Sequence, residues 1–124
     1  MKTKNVIVDK SFQFSLRVVK LYTHLKRNRI EKELALQLLR SGTSIGANVE
    51  EAIGGVSKKD FLNKLGVAYK EARETSYWLR LFRESNLLEI KLADSFIKDC
   101  DEILKILGSI IKSSKSKELL IPNS

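Results

Sequence analysis

Residues 61–82 read FLNKLGVAYKEARETSYWLRLF, and this stretch decides the fold. Its apolar and small residues are spaced alternately four and three apart: Phe61, Leu65, Ala68, Ala72, Thr75, Leu79 and Phe82. This alternation is the seam of a coiled coil, so it predicts a long helix that packs one face against other helices. The preceding residues 57–60, SKKD, resemble a capping box with Asp in place of Glu, and Ser85-Asn86 breaks the pattern.

A first helix is predicted upstream, with Asp9 and Ser11 as suitable N-caps and the polar residues 26–29 at its end. Its apolar residues form two adjacent stripes: Phe12, Leu16, Val19 and Tyr22 in one, and Phe14, Val18, Leu21 and Leu25 in the other. Two stripes make a wider apolar face than one core contact requires.

A second helix is predicted to begin near Ile30 and to end at Gly54-Gly55. Its middle, residues 41–47, reads SGTSIGA, with Gly42 and Gly46 one turn apart. Each glycine costs a helix about 1 kcal/mol relative to Ala. We interpret the pair as room for another backbone to approach closely, the alternative being that the stretch is a loop.

A fourth helix is predicted from an apolar line along residues 96–110: Phe96, Cys100, Ile103, Leu107 and Ile110. Four helices joined by short turns predict an all-α, antiparallel, up-down-up-down four-helix bundle. The length of 124 residues fits a single domain, residues 1–124, in which residues 113–124 form a polar tail. The composition, 43% hydrophobic and 31% charged, is typical of a folded soluble protein.

The sequence argues against several classes of protein. Cys100, the one cysteine, cannot form an internal disulfide and suits a reducing cytoplasm, where we expect it to be a small buried side chain. No apolar run approaches the roughly 20 residues of a membrane span, and residues 1–9 are too short and polar for a signal peptide. His24, the one histidine, is expected at the surface.

A metal site or an enzyme is not expected. A four-helix di-iron site needs Glu-x-x-His pairs on facing helices, and no histidine accompanies the glutamates of the second and third helices, Glu50, Glu51, Glu71 and Glu74. The glycines are not followed by the Lys-Ser/Thr of a phosphate loop. We therefore expect no catalytic residue, no metal and no cofactor.

The net charge of +8 is unevenly placed. Residues 1–49 hold ten Lys or Arg and three acids, a net +7, which favours a polyanionic partner such as RNA or DNA; the alternative is a merely solvated basic surface. The candidate contact residues at one end of the bundle are Lys20, Lys26, Arg27, Arg29 and Lys32, with Lys58 and Lys59 as additions. No basic segment is interleaved with aromatics, so base stacking and sequence preference are not expected.

Two further groups of side chains need an explanation. Polar residues at predicted inward positions are interpreted as a network that fixes helix register, the alternative being a binding groove: Arg40, Ser44, Asn48, Glu71 and Glu74. Off the seam of the third helix lie Tyr69, Tyr77, Trp78 and Leu81. With the double stripe of the first helix, this second face predicts a homo-oligomer.

Two segments resemble a known family. Residues 38–51, LLRSGTSIGANVEE, are similar to its Arg-(small)-x-Ser-Ile-x-x-Asn-Ile-x-Glu-Gly signature, although Ala52 stands where Gly is usual. Residues 60–65 and 68–79 resemble its second signature. The family is that of the bacterial four-helix-bundle proteins encoded in intervening sequences of large-subunit ribosomal RNA genes, similar also to the accessory variability determinant of diversity-generating retroelements. The resemblance implies a ring-like pentamer, association with nucleic acid or a nucleic-acid enzyme, and no catalytic activity.

Three functions follow as hypotheses. The first is a non-enzymatic, oligomeric nucleic-acid-binding protein of the cytoplasm, with RNA as the expected ligand. The second is a protein-binding scaffold that recruits a nucleic-acid enzyme such as a reverse transcriptase. A small enzyme is the third and least supported reading. Salt-dependent RNA binding distinguishes the first hypothesis from the second.

Overall fold

The computed structural model describes the backbone of residues 2–120 and the side chains of residues 6–115. Four helices make up the chain: α1 (Lys2–Arg27), α2 (Lys32–Ile53), α3 (Lys58–Glu84) and α4 (Ile90–Leu120). Each helix packs against the next in chain order and α4 packs against α1, whereas no diagonal pair comes into contact over the described residues. The connections have four or five residues, so neighbouring helices are antiparallel. The predicted all-α four-helix bundle is confirmed, and residues 2–120 contain no strand.

The core follows the seams that the sequence predicts. In α3 the seam residues from Leu65 to Phe82 are buried, and Phe61 is half-buried at its start. In α1 the inner stripe is Phe14, Val18, Leu21 and Leu25, and the seam extends back through Ser11 to Ile7. The other stripe faces outward, with Phe12 54%, Leu16 43% and Val19 46% exposed. We call these three residues the α1 outer stripe; Tyr22, grouped with them in the sequence, is half-buried against the core.

The glycine-containing middle of α2 is helical and lies against α1. A Cβ at Gly42 would meet both methyl groups of Val18 at 2.9 Å, and a Cβ at Gly46 would lie 3.2 Å from the backbone oxygen of Ser11. The two glycines therefore allow α1 and α2 to pack closely, and the predicted close approach is confirmed. Both residues are buried.

Two helix boundaries differ from those predicted. α1 begins at Lys2, so Asp9 and Ser11 are not its N-caps; Ser11 is buried and donates to the carbonyl of Val8 at 3.2 Å. The helix extends because Ile7, one heptad before Phe14, adds a buried turn. α4 continues to Leu120, so residues 113–120 of the predicted tail are helical, and residues 121–124 lie outside the described part. No Gly or Pro interrupts α4 there before Pro122.

Buried polar groups join helices in the core. The hydroxyl groups of Thr75 and Ser41, both 0% exposed, hydrogen-bond to each other at 3.0 Å between α3 and α2. The thiol of Cys100 donates to the carbonyl of Ala72 at 3.2 Å between α4 and α3. Burial raises the pKa of this thiol to about 12. Cys100 is thus the small buried residue that the sequence predicts. Within the described part of the chain, no helix is long and apolar enough to span a membrane.

Candidate nucleic-acid interface

The connection between α1 and α2 positions the candidate cations. Beyond Arg27, the N–H of Arg29 donates to the carbonyl of Lys26 at 3.1 Å, and the N–H of Ile30 donates to the carbonyl of Leu25 at 3.0 Å. This pair of bonds is the Schellman motif, and it places Arg29 in the left-handed region with φ 54°. Ile30 packs against the core, which fixes the turn and explains why α2 begins at Lys32 and not at Ile30.

Three of the predicted cations converge on one cavity. The cavity has a volume of about 220 Å³ and is lined by Tyr22, Lys26, Arg29, Ile30, Lys32 and Ala35. We call it the Tyr22 pocket. Lys26 lies one turn after Tyr22 on the same face of α1, and the turn brings Arg29 and Lys32 to the opposite rim. Tyr22 was not among the contact residues predicted from the sequence; its four-residue spacing from Lys26 is the signal in the sequence that could have indicated it.

The other two predicted cations flank this pocket. Lys20 and Arg27 are seven residues apart, on one face of α1, and both are exposed. We use the name basic end for the five residues together: Lys20, Lys26, Arg27, Arg29 and Lys32. None of the five forms an ion pair with any side chain that the structure describes.

Lys58 and Lys59 are not part of the basic end. They begin α3 at the opposite end of the bundle, and the 22 residues of α2 place the two ends about 33 Å apart. The turn there is satisfied internally, because Ser57 accepts from the N–H of Asp60 at 3.1 Å and the N–H of Gly55 donates to Ala52. These lysines therefore lie at the N-terminus of a capped helix, as in a plain helix–turn–helix connection.

Five of the cations elsewhere in the described part of the chain form ion pairs with a neighbouring helix. Between α1 and α4, Arg17 pairs with Asp99 at 2.5 Å and Lys10 with Glu102 at 3.1 Å. The Arg17 guanidinium also lies 4.0 Å from the centre of the Phe96 ring. The cations of the basic end have no such partners, as is also true of exposed cations such as Lys98 and Lys105 on α4. What distinguishes the basic end is that three of its cations line one cavity.

The predicted polar network is not the one that forms. Arg40 pairs with Glu74 at 3.2 Å, and the same Glu74 oxygen accepts from Trp78 Nε1 at 3.0 Å. Ser44 and Asn48 each donate to a carbonyl one turn earlier in α2 and contact neither glutamate. The Arg40 side chain is 59% exposed, so the pair lies at the surface of the α2–α3 interface and not inside the core.

Glu71 stands apart from this pair. Its Oε1 atom is buried without a hydrogen-bond partner, and desolvation, with a smaller effect of the Glu74 charge, raises the pKa of the Glu71 carboxyl. The positive charge of Arg40 opposes this shift. Glu71 therefore forms no ion pair with Arg40, although the predicted network included both residues.

The four residues predicted to form an oligomer interface do not all lie on one exposed surface. Tyr69 is half-buried and packs against α4, where its ring lies 3.6 Å from the position of a Cβ at Gly108. Tyr77 is 50% exposed and meets Trp78 edge to face, with ring centres 5.1 Å apart. Leu81 and Trp78 are half-buried. The outward apolar surface of α3 thus centres on Tyr77 and Trp78.

The site offers no arrangement for metal binding in the part of the chain that the structure describes, where no three His, Cys, Asp or Glu side chains come together. His24 is exposed and its Nδ1 lies 3.4 Å from the amide of Asn28. What the basic end presents is cationic and aromatic groups for contact with an anion.

Fold and surface together define a small antiparallel four-helix bundle with unpaired cations at one end and an apolar outer face on α1. The chain belongs to the 23S rRNA-intervening sequence protein family, whose profile matches residues 3–109. It is similar to a crystal structure of a protein of unknown function from the S23 ribosomal protein family of Bacteroides thetaiotaomicron. The two are 46% identical with a TM-score of 0.86, over 89% of this chain and 98% of that chain. The comparison with curated proteins gives no match.

Proposed function

We propose that this protein binds RNA through phosphate contacts at the basic end, as a non-catalytic member of a homo-oligomer. The observation that carries the proposal is the set of five cations without ion-pair partners among the described residues, three of which surround one cavity. An unpaired cation on a fixed turn is available to a phosphate without first breaking an ion pair.

The family adds independent support. Its description associates these proteins with an intervening sequence of 23S rRNA. The uneven charge agrees, because α1 alone carries +6 of the net +8, whereas α2 carries −1, α3 +3 and α4 +1. A cytoplasmic location fits a free, buried Cys100.

A binding role fits the chemistry of the reactive side chains better than catalysis does. The thiol of Cys100 is buried with its pKa raised to about 12, so it does not supply a thiolate nucleophile near neutral pH. His24 has no acidic side chain hydrogen-bonded to it among the described residues. We therefore propose no reaction at the basic end.

A second candidate function is favoured by the apolar surfaces. The α1 outer stripe and the Tyr77–Trp78 pair leave two apolar areas outside the core. Either can join copies of this chain, and either can receive a protein partner. The second candidate is accordingly a scaffold that recruits a nucleic-acid enzyme such as a reverse transcriptase.

Titration of RNA at several salt concentrations tests the proposal. We expect binding at low salt whose logarithm falls linearly with the logarithm of salt concentration, because phosphate contacts release counterions. Replacing Lys26, Arg27 and Arg29 together by Ala should weaken binding and reduce the slope by about 2–3, since each lost contact removes about 0.7–0.9. Helicity should not change, because all three are exposed.

The matched control removes the same charge elsewhere. Lys98, Lys105 and Lys112 are exposed on α4, where Asp94 and Asp101 lie one turn from the first two. Replacing all three by Ala should change the RNA affinity and its salt slope much less than the triple change at the basic end does. Equal losses in both triple variants would mean that only total charge matters, and no binding by wild type at low salt would favour the scaffold.

A further inference from the structure

The Tyr22 pocket combines two kinds of surface. Three of its lining residues are apolar or aromatic and are buried or half-buried, namely Tyr22, Ile30 and Ala35, and we call them its floor. The other three, Lys26, Arg29 and Lys32, are exposed cations, and we call them its rim. A simple phosphate site needs only the rim, and a simple apolar groove needs only the floor. The combination fits a ligand with a flat ring attached to an anion.

The volume limits that ligand to one ring system. About 220 Å³ lies below the roughly 300–1,000 Å³ of sites that enclose drug-sized ligands. A helix or an extended side-chain cluster of another protein would not be enclosed by it. One nucleobase, held against an aromatic ring with its own phosphates at the rim, matches both the size and the charge.

A second cavity of similar size shows what distinguishes the Tyr22 pocket. That cavity, about 240 Å³, lies between α1 and α4 and also contains two cations, Lys10 and Arg17. Both are paired with acids of α4 that line the same cavity, Glu102 and Asp99. With Asp9, this cavity is lined by three acidic and two basic side chains, so it has no excess of positive charge. The Tyr22 pocket contains no acidic side chain.

We propose that the Tyr22 pocket receives one unpaired nucleotide of a nucleic-acid strand, with the base stacked on Tyr22 and the adjacent phosphates on Lys26, Arg29 and Lys32. This inference rests on the proposed RNA binding and adds to it a preference for unpaired nucleotides. Aromatic side chains stack on any exposed base, so the preference concerns strandedness and not sequence. It replaces the expectation that this surface binds phosphates alone.

A duplex cannot use the pocket in the same way. Inside a duplex both faces of each base are covered by its neighbours, so a base reaches Tyr22 only after unpairing and unstacking, which lowers the affinity. The cations of the basic end remain accessible to duplex phosphates. A duplex is therefore expected to bind by charge alone, with a weaker affinity and a similar dependence on salt.

The test compares a short unstructured RNA strand with the duplex it forms with its complement, using wild type, Tyr22→Phe and Tyr22→Leu. Wild type should bind the single strand more tightly than the duplex. Tyr22→Phe keeps the ring and should keep this preference. Tyr22→Leu should lose roughly 5- to 150-fold in affinity for the single strand, the range that stacking of one base supplies, with an unchanged salt slope.

The controls separate the two proposals. A DNA strand of the same sequence shows whether the pocket takes its nucleotide from RNA or from DNA. Tighter binding of either single strand than of its duplex supports the pocket proposal. Thermal melting followed by circular dichroism checks that Tyr22→Leu is folded. If wild type binds strand and duplex equally and Tyr22→Leu binds as wild type does, the pocket proposal is overturned while phosphate binding stands. If neither RNA binds at low salt, both proposals fail.

Discussion

Arg29 occupies a backbone conformation that favours other residue types. Its φ is 54°, and the equivalent position at the end of α3 is held by Asn86 with φ 59°. The same pair of hydrogen bonds closes that helix, from Asn86 to Arg83 and from Leu87 to Phe82. Asn adopts the left-handed region readily, whereas most other side chains pay about 1 kcal/mol or more. A cation at such a position agrees with a role in binding.

Replacing Arg29 by Asn should separate stability from binding. We expect urea denaturation to give a free energy of unfolding higher by about 0.5–1 kcal/mol, because Asn relieves the left-handed backbone. We also expect weaker RNA binding and a salt slope lower by about 0.7–0.9, because one phosphate contact is lost. Arg27→Asn is the control: it removes the same charge from a right-handed residue and should not stabilise. A less stable Arg29→Asn protein, or one that binds RNA as wild type does, contradicts this account.

The candidate cations were predictable from the sequence, but their aromatic neighbour was not. Clustered Lys and Arg between two apolar patterns are visible by inspection. The position of Tyr22 depends on the turn, which brings Arg29 and Lys32 back towards α1. Its spacing from Leu16 and Val19 placed it in the outward stripe, whereas in the structure it is half-buried against the core and lines one cavity with Ile30 and Ala35.

At the scale of the helices, the sequence predicts the seams well and the ends poorly. The heptad of α3 is present in every turn from Leu65 to Phe82, because the core selects a residue at each of these positions. Helix ends carry no such repeated signal. Among the described side chains, the first turns of α1 contribute one core residue, Ile7, and residues 113–118 of α4 are polar residues that a helix tolerates as easily as a loop does.

The glycines of α2 and α3 predict opposite effects of the same substitution. Gly66 lies within α3 with nothing inside 4 Å of an added Cβ, so Gly66→Ala should raise the free energy of unfolding by up to about 1 kcal/mol through helix propensity. At Gly42 the added Cβ would meet Val18 at 2.9 Å, and Val18 is fully buried. Overpacking of this kind costs about 1–3 kcal/mol, so Gly42→Ala should destabilise. Chemical denaturation of the two variants measures the contrast, and stabilisation by both would contradict the close α1–α2 packing.

Across the whole molecule, charge and apolar surface are divided between different places. Two ion pairs lie away from the basic end. Arg17, near the middle of α1, pairs with Asp99, and Arg83, at the end of α3, pairs with Asp94. The basic end keeps its cations unpaired, and the α1 outer stripe continues from it along the same helix. An assembly through the stripe would repeat one basic end per subunit, and weak contacts to a single RNA would then add through multivalency.

The α1 outer stripe predicts that the protein assembles with itself. Phe12, Leu16 and Val19 are apolar, one turn apart and 43–54% exposed, and burying them against a second copy gains about 25 cal/mol per Å². At micromolar concentration, light scattering should therefore give a mass that is a multiple of the 14.1 kDa chain. A pentamer is the stoichiometry that the family resemblance implies.

Substitution at the centre of the stripe tests which surface assembles. Leu16→Gln should lower the mass measured by light scattering, because it puts a polar group into the interface, while thermal stability of the folded chain changes little at an exposed position. Val56→Gln is the matched control, since Val56 is 93% exposed in the α2–α3 connection and stands outside both apolar areas.

A wild-type mass of 14.1 kDa contradicts assembly altogether. An oligomer that survives Leu16→Gln but dissociates on Trp78→Gln would assign the interface to Tyr77 and Trp78, and would leave the α1 outer stripe free for a protein partner.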